Sequence, residues 1–293
     1  MSLIPVAAAS GKITPHTLLE RKQAQRPITA LTAYDYSTAR LADETGIDLL
    51  LVGDSLAMVV MGLESTLPVT VDEMLHHTRA VRRGVRRALL VADMPYGSYH
   101  VSVDEGVANG ARFVKQGGAE AVKVEGARPE LVERLIAAEI PVVGHIGLTP
   151  QSVHRMGGYK VQGKTAAEYA RLREEARQLE DAGACAVVLE GMPRELAAEI
   201  TAQLTIPTVG IGAGVDCDGQ ILVFHDLVNL TFAPPARFVR RYADASELFR
   251  NAISAYRDDV VERRYPAEDE SYHLPKGTKA TLAGNRSQLR RKA

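Results

Sequence analysis

Four carboxylates stand at matching places in this chain. LLLVGDS carries Asp54, LLVADMP carries Asp93, AVKVEG carries Glu125 and AVVLEG carries Glu190. Each acid closes an apolar run rich in Val, Leu and Ala, just where that run breaks into Gly, Ser, Met or Pro. Buried strands that are polar only at their C-terminal tips are the sequence form of a parallel α/β enzyme, whose strand tips line the active site. Carboxylates gathered on one rim repel each other, and a bound cation relieves that repulsion. Asp54 and Asp93 fall on successive runs with no Cys nearby, a hard-oxygen pair suited to Mg²⁺. The plainer use of such an acid is to cap the helix that follows. One acid alone would favour the cap; four in register favour a metal.

Lys123 and Glu125 lie two apart on one strand, so their side chains share a face. An inward lysine near a cation needs an anion to meet, and a substrate carboxylate would supply it. A purely structural Lys–Glu pair is the alternative. Glu190 closes the sixth run, across the rim from the second and third. Left unligated there, it is placed to act as a general base on a carbon next to a metal-polarised keto group. His145, in GHIGLTP, closes the fifth run and suits a rim hydrogen bond as well as a reactive role. The GIGAG run at 210–214 could bring backbone close to a ligand but lacks the GxGxxG spacing. His76 and His77, adjacent on a helical stretch, read as surface residues.

The elements that must hold these residues follow from periodicity. Strand-like runs occur at 28–34, 47–53, 88–92, 119–124, 141–146, 184–189, 207–211 and 220–224. Helical spacing fills 70–87, 103–116, 129–138, 166–182 and 194–203, the first opened by a Thr70–Glu73 capping box. Eight such alternations predict a (β/α)8 barrel, with an open doubly wound sheet as the other possibility. The 56–69 segment is long enough for a lid or substrate loop, and 212–219 is too short for a full helix. The expected domains are a leader at 1–26 with a short helix near 17–23, a catalytic barrel with two C-terminal helices at 27–265, and a basic, partly disordered tail at 266–293.

Bulk composition narrows the function. The chain has 293 residues, 46% of them hydrophobic, and a net charge of −1. That balance gives no basic field for nucleic acid or an anionic membrane. Trp is absent, no apolar stretch approaches membrane-spanning length, and the N-terminus lacks a basic signal region. Cys185 and Cys217 read as reduced, packed thiols. A cytoplasmic enzyme is expected.

The segments VGDSLAMVVMGLESTLPVTVDEMLHHTRAV, ADMPYGSY, AVKVEG, GHIGLTPQSVHRMGGYKVQGKT, VLEGMP, GIGAG and CDGQILVFHD resemble ketopantoate hydroxymethyltransferase across about 17–272. The resemblance implies a (β/α)8 barrel of the phosphoenolpyruvate/pyruvate-binding type. It also implies transfer of a one-carbon unit from 5,10-methylenetetrahydrofolate to 3-methyl-2-oxobutanoate. By the same resemblance, Asp54 and Asp93 are Mg²⁺ ligands and Glu125 a third, water-linked member of the metal site. Asp54, Ser55, Asp93 and Lys123 then contact the keto acid, Glu190 is the proton acceptor, and the protein is a homo-oligomer, a decamer in the family. Asn229 and Arg264 depart from expected glycines and Glu270 from an expected His, all away from these positions. The alternatives are a metal-dependent 2-oxo-acid lyase or mutase of the same superfamily and a non-catalytic keto-acid-binding barrel. No KKCGH-type loop supports the first, and retention of all four rim acids and Lys123 argues against the second. The folate-binding residues do not emerge from the sequence; the arginines at 79–87 read as a solvated helix face.

Overall fold

The apolar runs become eight parallel strands: β1 (Ile28–Thr32), β2 (Leu49–Val52), β3 (Leu89–Asp93), β4 (Ala121–Glu125), β5 (Val142–Gly147), β6 (Ala186–Glu190), β7 (Thr208–Ile211) and β8 (Gly219–Leu222). A computed structural model describes residues 11–275 and Thr278 of the chain. Each strand pairs with the next, and β8 returns to β1 with Ile28 opposite Gly219, so the sheet closes into a barrel. This removes the open-sheet alternative.

Pleating explains why the runs are apolar throughout. Leu49 and Leu51 of β2 and Ala121 of β4 point into the barrel with Leu89, Val91, Val143, Val188 and Val209. Their alternates, Leu50, Val52, Val122 and Val124, pack outward under the helices. Lys123 and Glu125 follow Ala121 on the inner face, which puts two charged side chains inside the upper barrel.

The first helix, α1 (Pro15–Gln23), is N-capped by Thr14. The expected polar leader is therefore structural from residue 11 on. Ile13 and Leu18 join the interior cluster of the barrel, with Leu18 fully buried. Burying one such Leu contributes about 1.5–3 kcal/mol. Arg21 of α1 pairs with buried Asp48 at 2.8 Å, and Lys22 with Asp218 at 2.8 Å, tying this floor to the strand feet.

Around the barrel run α2 (Tyr36–Glu44), α3 (Leu56–Val59), α4 (Val71–Gly84), α5 (Val103–Arg112), α6 (Pro129–Ala137), α7 (Val153–Met156), α8 (Ala166–Asp181), α9 (Arg194–Gln203) and α10 (Phe224–Leu227). The Thr70–Glu73 box caps α4. The expected lid segment is partly ordered as α3, where Leu56 and Ala57 are fully buried. No helix separates β7 from β8, as the short connection required.

The chain divides into two compact units, one through Ala243 and one from Asp244. Among the described residues of the second, the stretch where two helices were expected forms the single helix α11 (Ala245–Val261), which has no buried residue. Residues 1–10 and most of the basic tail lie outside the described residues. Among the described residues no helix is long and apolar enough to cross a membrane.

Candidate active site

The tips of β2 to β6 bring the sequence-selected residues to one cavity of about 200 Å³, which Asp54, Ser55, Asp93, Lys123, Glu125, His145 and Glu190 all line. None of the four acids caps a helix. The N-cap positions of the helices after β2, β3, β4 and β6 are Ser55, Ser102, Arg128 and Pro193. Since none of the acids stands at a cap position, the carboxylates point into the mouth for another reason.

Asp54 and Asp93 are adjacent. The Asp54 backbone N–H donates to Asp93 Oδ2 at 3.0 Å, and Gln151 Nε2 donates to Asp54 Oδ2 at 2.8 Å. Burial, then the neighbouring Asp93 charge, pushes the Asp54 carboxyl up to about 7 against the pull of Lys123. Asp93 Oδ1 lies 3.0 Å from Lys123 Nζ but has no aligned hydrogen-bond partner.

Lys123 is buried, and burial alone would lower it. The carboxylates of Asp93, Glu125 and Asp54 more than offset that and hold the ammonium above its ordinary value. Of its three protons, one faces Asp93 and one reaches His145 Nδ1 at 3.0 Å. Glu125 Oε1 is farther, at 3.9 Å, so one N–H remains for a ligand.

Glu125 turns away from the Asp pair. Its Oε2 accepts from the Gln151 backbone at 2.9 Å, its Oε1 lies 3.6 Å from His145 Nδ1, and its own N–H donates to the Tyr99 hydroxyl at 3.1 Å. Burial raises this carboxyl well above the ordinary range, with Lys123 opposing. Among the described residues no three His, Cys, Asp or Glu side chains form a complete metal-ligand set. Mg²⁺ does not need one, because it typically takes one or two carboxylates and fills the remaining positions with water and substrate oxygens. The elevated Asp54 carboxyl and the Asp93 oxygen that lacks an aligned hydrogen bond are what such a cation would relieve.

Glu190, at the end of β6, keeps 17% of its side chain exposed and lies 3.3 Å from His145 Nε2. Desolvation pushes its carboxyl up to about 7, again with Lys123 opposing. Its backbone is held by Gly147: the Glu190 carbonyl accepts from Leu148 N–H at 2.8 Å, and a Cβ on Gly147 would fall 2.2 Å from that oxygen. Gly147 also has φ +98°, a region side chains avoid. Gly147→Ala is expected to destabilise the fold by about 1–3 kcal/mol and to move Glu190, readable as a lower urea midpoint together with reduced turnover.

Several site residues escaped the sequence reading. Gln151 joins Asp54, Glu125, the Met94 carbonyl and, through Oε1, the Tyr99 hydroxyl at 2.6 Å. The Tyr34 hydroxyl meets Ser55 Oγ at 2.8 Å. The Tyr159 hydroxyl reaches Met58 Sδ at 3.8 Å, linking the 56–69 segment to the loop after α7 above the cavity. GIGAG is a packing run rather than a ligand cradle: added Cβ atoms would strike Cys217 at Gly210 and Phe238 at Gly212. His77 is half-buried and donates from Nδ1 to the Tyr34 carbonyl at 2.6 Å, while His76 is exposed.

Known proteins share the fold and the sequence of this chain. Among solved structures, phosphonopyruvate hydrolase in complex with oxalate and Mg²⁺ aligns with a TM-score of 0.55 at 14% identity, covering 95% of this chain and 97% of that one. A 2,3-dimethylmalate lyase of the PEP mutase/isocitrate lyase superfamily aligns with a TM-score of 0.54 at 15% identity, covering 95% and 97%. These likenesses concern the fold. By sequence, 3-methyl-2-oxobutanoate hydroxymethyltransferase of Koribacter versatilis is 66% identical over 286 residues, 96% of this chain and 97% of its own length. The protein of that name from Gloeobacter violaceus is 56% identical over 248 residues, 84% and 95%. The sequence model described as ketopantoate hydroxymethyltransferase matches residues 12–268. That match over most of the chain, together with these identities, shows that the chain belongs to the ketopantoate hydroxymethyltransferase family.

Proposed function

We propose that this site removes the C3 proton of 3-methyl-2-oxobutanoate and adds a one-carbon unit from 5,10-methylenetetrahydrofolate at that carbon, giving ketopantoate. The observation that carries the reading is Glu190, a carboxylate pushed up to about 7 and facing the same small cavity as the Asp54–Asp93 pair and a buried lysine. Asp54 and Asp93 would hold Mg²⁺, with Glu125 linked to it through water. The cation's contribution, when bound, is to draw charge from the keto group and make C3–H more acidic. Lys123 keeps one N–H for the substrate carboxylate, and Ser55, fixed by Tyr34, offers a hydroxyl to the same cavity. Glu190 takes the proton, and its raised value suits a base working near neutral pH.

The folate partner is larger than the inner cavity allows. A second cavity of about 490 Å³ shares Glu125 with the first and is lined by Tyr96, His100, Arg128 and Arg155. Its size falls in the usual ligand range of about 300–1,000 Å³. The aromatic wall and guanidinium groups support binding of a flat, anionic carrier there. On α11, Leu248, Phe249, Ile253 and Tyr256 are all at least half exposed, which supports assembly of copies through an apolar helix face.

The test is isotope exchange. In D₂O with Mg²⁺ and keto acid, the C3 proton should exchange without folate, and adding methylenetetrahydrofolate should give ketopantoate. Exchange that requires folate, or a cleaved keto acid among the products, would overturn this reading in favour of another chemistry.

Metal binding has a pH signature of its own. Asp54 is raised in the fold, so its contribution to metal-free stability is present below the ordinary carboxyl value and is lost as pH rises through about 7. Mg²⁺ needs the ionised form, so its stabilisation runs the other way. At pH 8 and 100-fold over its Kd, the ion should add about 2.7 kcal/mol. At pH 5 the gain at the same concentration should nearly vanish. Thermal melts with and without Mg²⁺ at the two pH values read this directly.

A further inference from the structure

We infer that His145 is a positioning residue for the base: its ring, gripped at Nδ1 by Lys123, offers Nε2–H to the Glu190 carboxylate and aims it. The inference rests on the reading of Glu190 as the proton acceptor. A lysine ammonium has donors and no acceptor. The 3.0 Å contact between Lys123 Nζ and His145 Nδ1 therefore requires a bare Nδ1. With Nδ1 bare, the ring's one proton sits on Nε2. That nitrogen is fully buried, has no hydrogen-bond partner, and lies 3.3 Å from Glu190 Oε2.

The barrel register fixes this arrangement. His145 pairs with Glu125 on β4 and Val188 on β6, which stands the ring between Lys123 and the tip carrying Glu190. The charged groups facing the ring are Lys123, Asp93 and Glu125 on one side and Glu190 on the other; the Leu148 backbone also faces it and favours its protonated form. A small rotation of the Glu190 carboxylate would align Oε2 with the waiting N–H. A donor on the charged form favours ionisation. It also removes one rotational freedom from a carboxylate that must meet a particular carbon.

His145→Leu removes both ring contacts, while His145→Gln can accept from Lys123 and donate to Glu190. In the folate-independent exchange assay, His145→Leu should lower kcat about 10–100-fold and change KM much less. Its acid limb should move to higher pH, because Glu190 has lost its donor. His145→Gln should recover most of both. A merely structural role would lower the melting temperature and leave the acid limb in place. Independently of any variant's folding, ¹⁵N spectra of the wild-type ring at pH 8 should show a protonated Nε2 and a bare Nδ1, and Glu190→Gln should shift the Nε2 resonance. A proton on Nδ1, or a His145→Leu enzyme with wild-type kcat and acid limb, overturns the inference. Exchange that survives Glu190→Gln would instead remove the base reading on which it stands.

Discussion

Glu190→Gln should retain Mg²⁺ and keto acid binding yet lose C3 exchange by about 10²–10⁴-fold, the range a positioned general base supplies. The substitution keeps the volume and polarity of the side chain and removes only its ability to take a proton. The pH dependence carries the sharper test. With the carboxyl at about 7, wild-type exchange should be flat above that pH and fall about tenfold per pH unit below it. Asp54 titrates in the same region, so an acid limb by itself does not identify the base. The two are separated by keeping Mg²⁺ saturating at every pH, which takes the Asp54 step out of the profile, and then by substitution: Glu190→Gln should remove the remaining limb along with the rate. A variant that keeps both the wild-type rate and that limb would strip Glu190 of its role.

Much of this site was legible because barrel strands advertise their tips. An apolar run ending in Asp or Glu specifies both a buried strand and a polar rim, and two-residue periodicity alone put Lys123 and Glu125 on one face. What periodicity cannot carry is contact between distant segments. Gln151 binds Asp54 across 97 positions of sequence, and Tyr99 reaches Gln151 across 52. Tyr99 lies in a turn and Gln151 in a single 3₁₀ turn, where a glutamine or tyrosine looks like any surface residue. His145 was readable as a rim residue but not by role, because its role depends on which nitrogen faces Lys123. The floor formed by residues 11–26 was missed for a related reason. Its buried apolar residues are only two, Ile13 and Leu18, too few to show as a pattern. The third metal position is a different case. Glu125 shares the rim with the Asp pair as expected, but its Oε2 accepts from the Gln151 backbone and its Oε1 lies 3.6 Å from His145 Nδ1.

Lys123 gives the second large prediction, and its two halves have opposite signs. Lys123→Met preserves length and burial while deleting the charge. Keto acid KM should rise roughly 10–100-fold, the equivalent of a charge-assisted hydrogen bond of about 1.5–3 kcal/mol. Mg²⁺ affinity should hold or improve, because the ammonium now 3.0 Å from Asp93 Oδ1 repels any cation placed there. Stability should fall by about 3–5 kcal/mol, since buried carboxylates lose their counter-charge. The sign against pH follows from the same loss. Lys123 opposes the upward shifts of Asp54, Glu125 and Glu190, so without it those carboxyls rise further in the fold. The folded variant then binds more protons than its unfolded chain from the ordinary carboxyl value up to beyond pH 7. Its stability must therefore drop as pH rises through that window, more steeply than the wild type's. Urea melts at pH 5 and pH 8, set beside calorimetric titrations with Mg²⁺ and with keto acid, separate these effects. A variant that loses affinity for Mg²⁺ and keto acid alike would make Lys123 a structural strut of the rim, and the substrate carboxylate would need another partner.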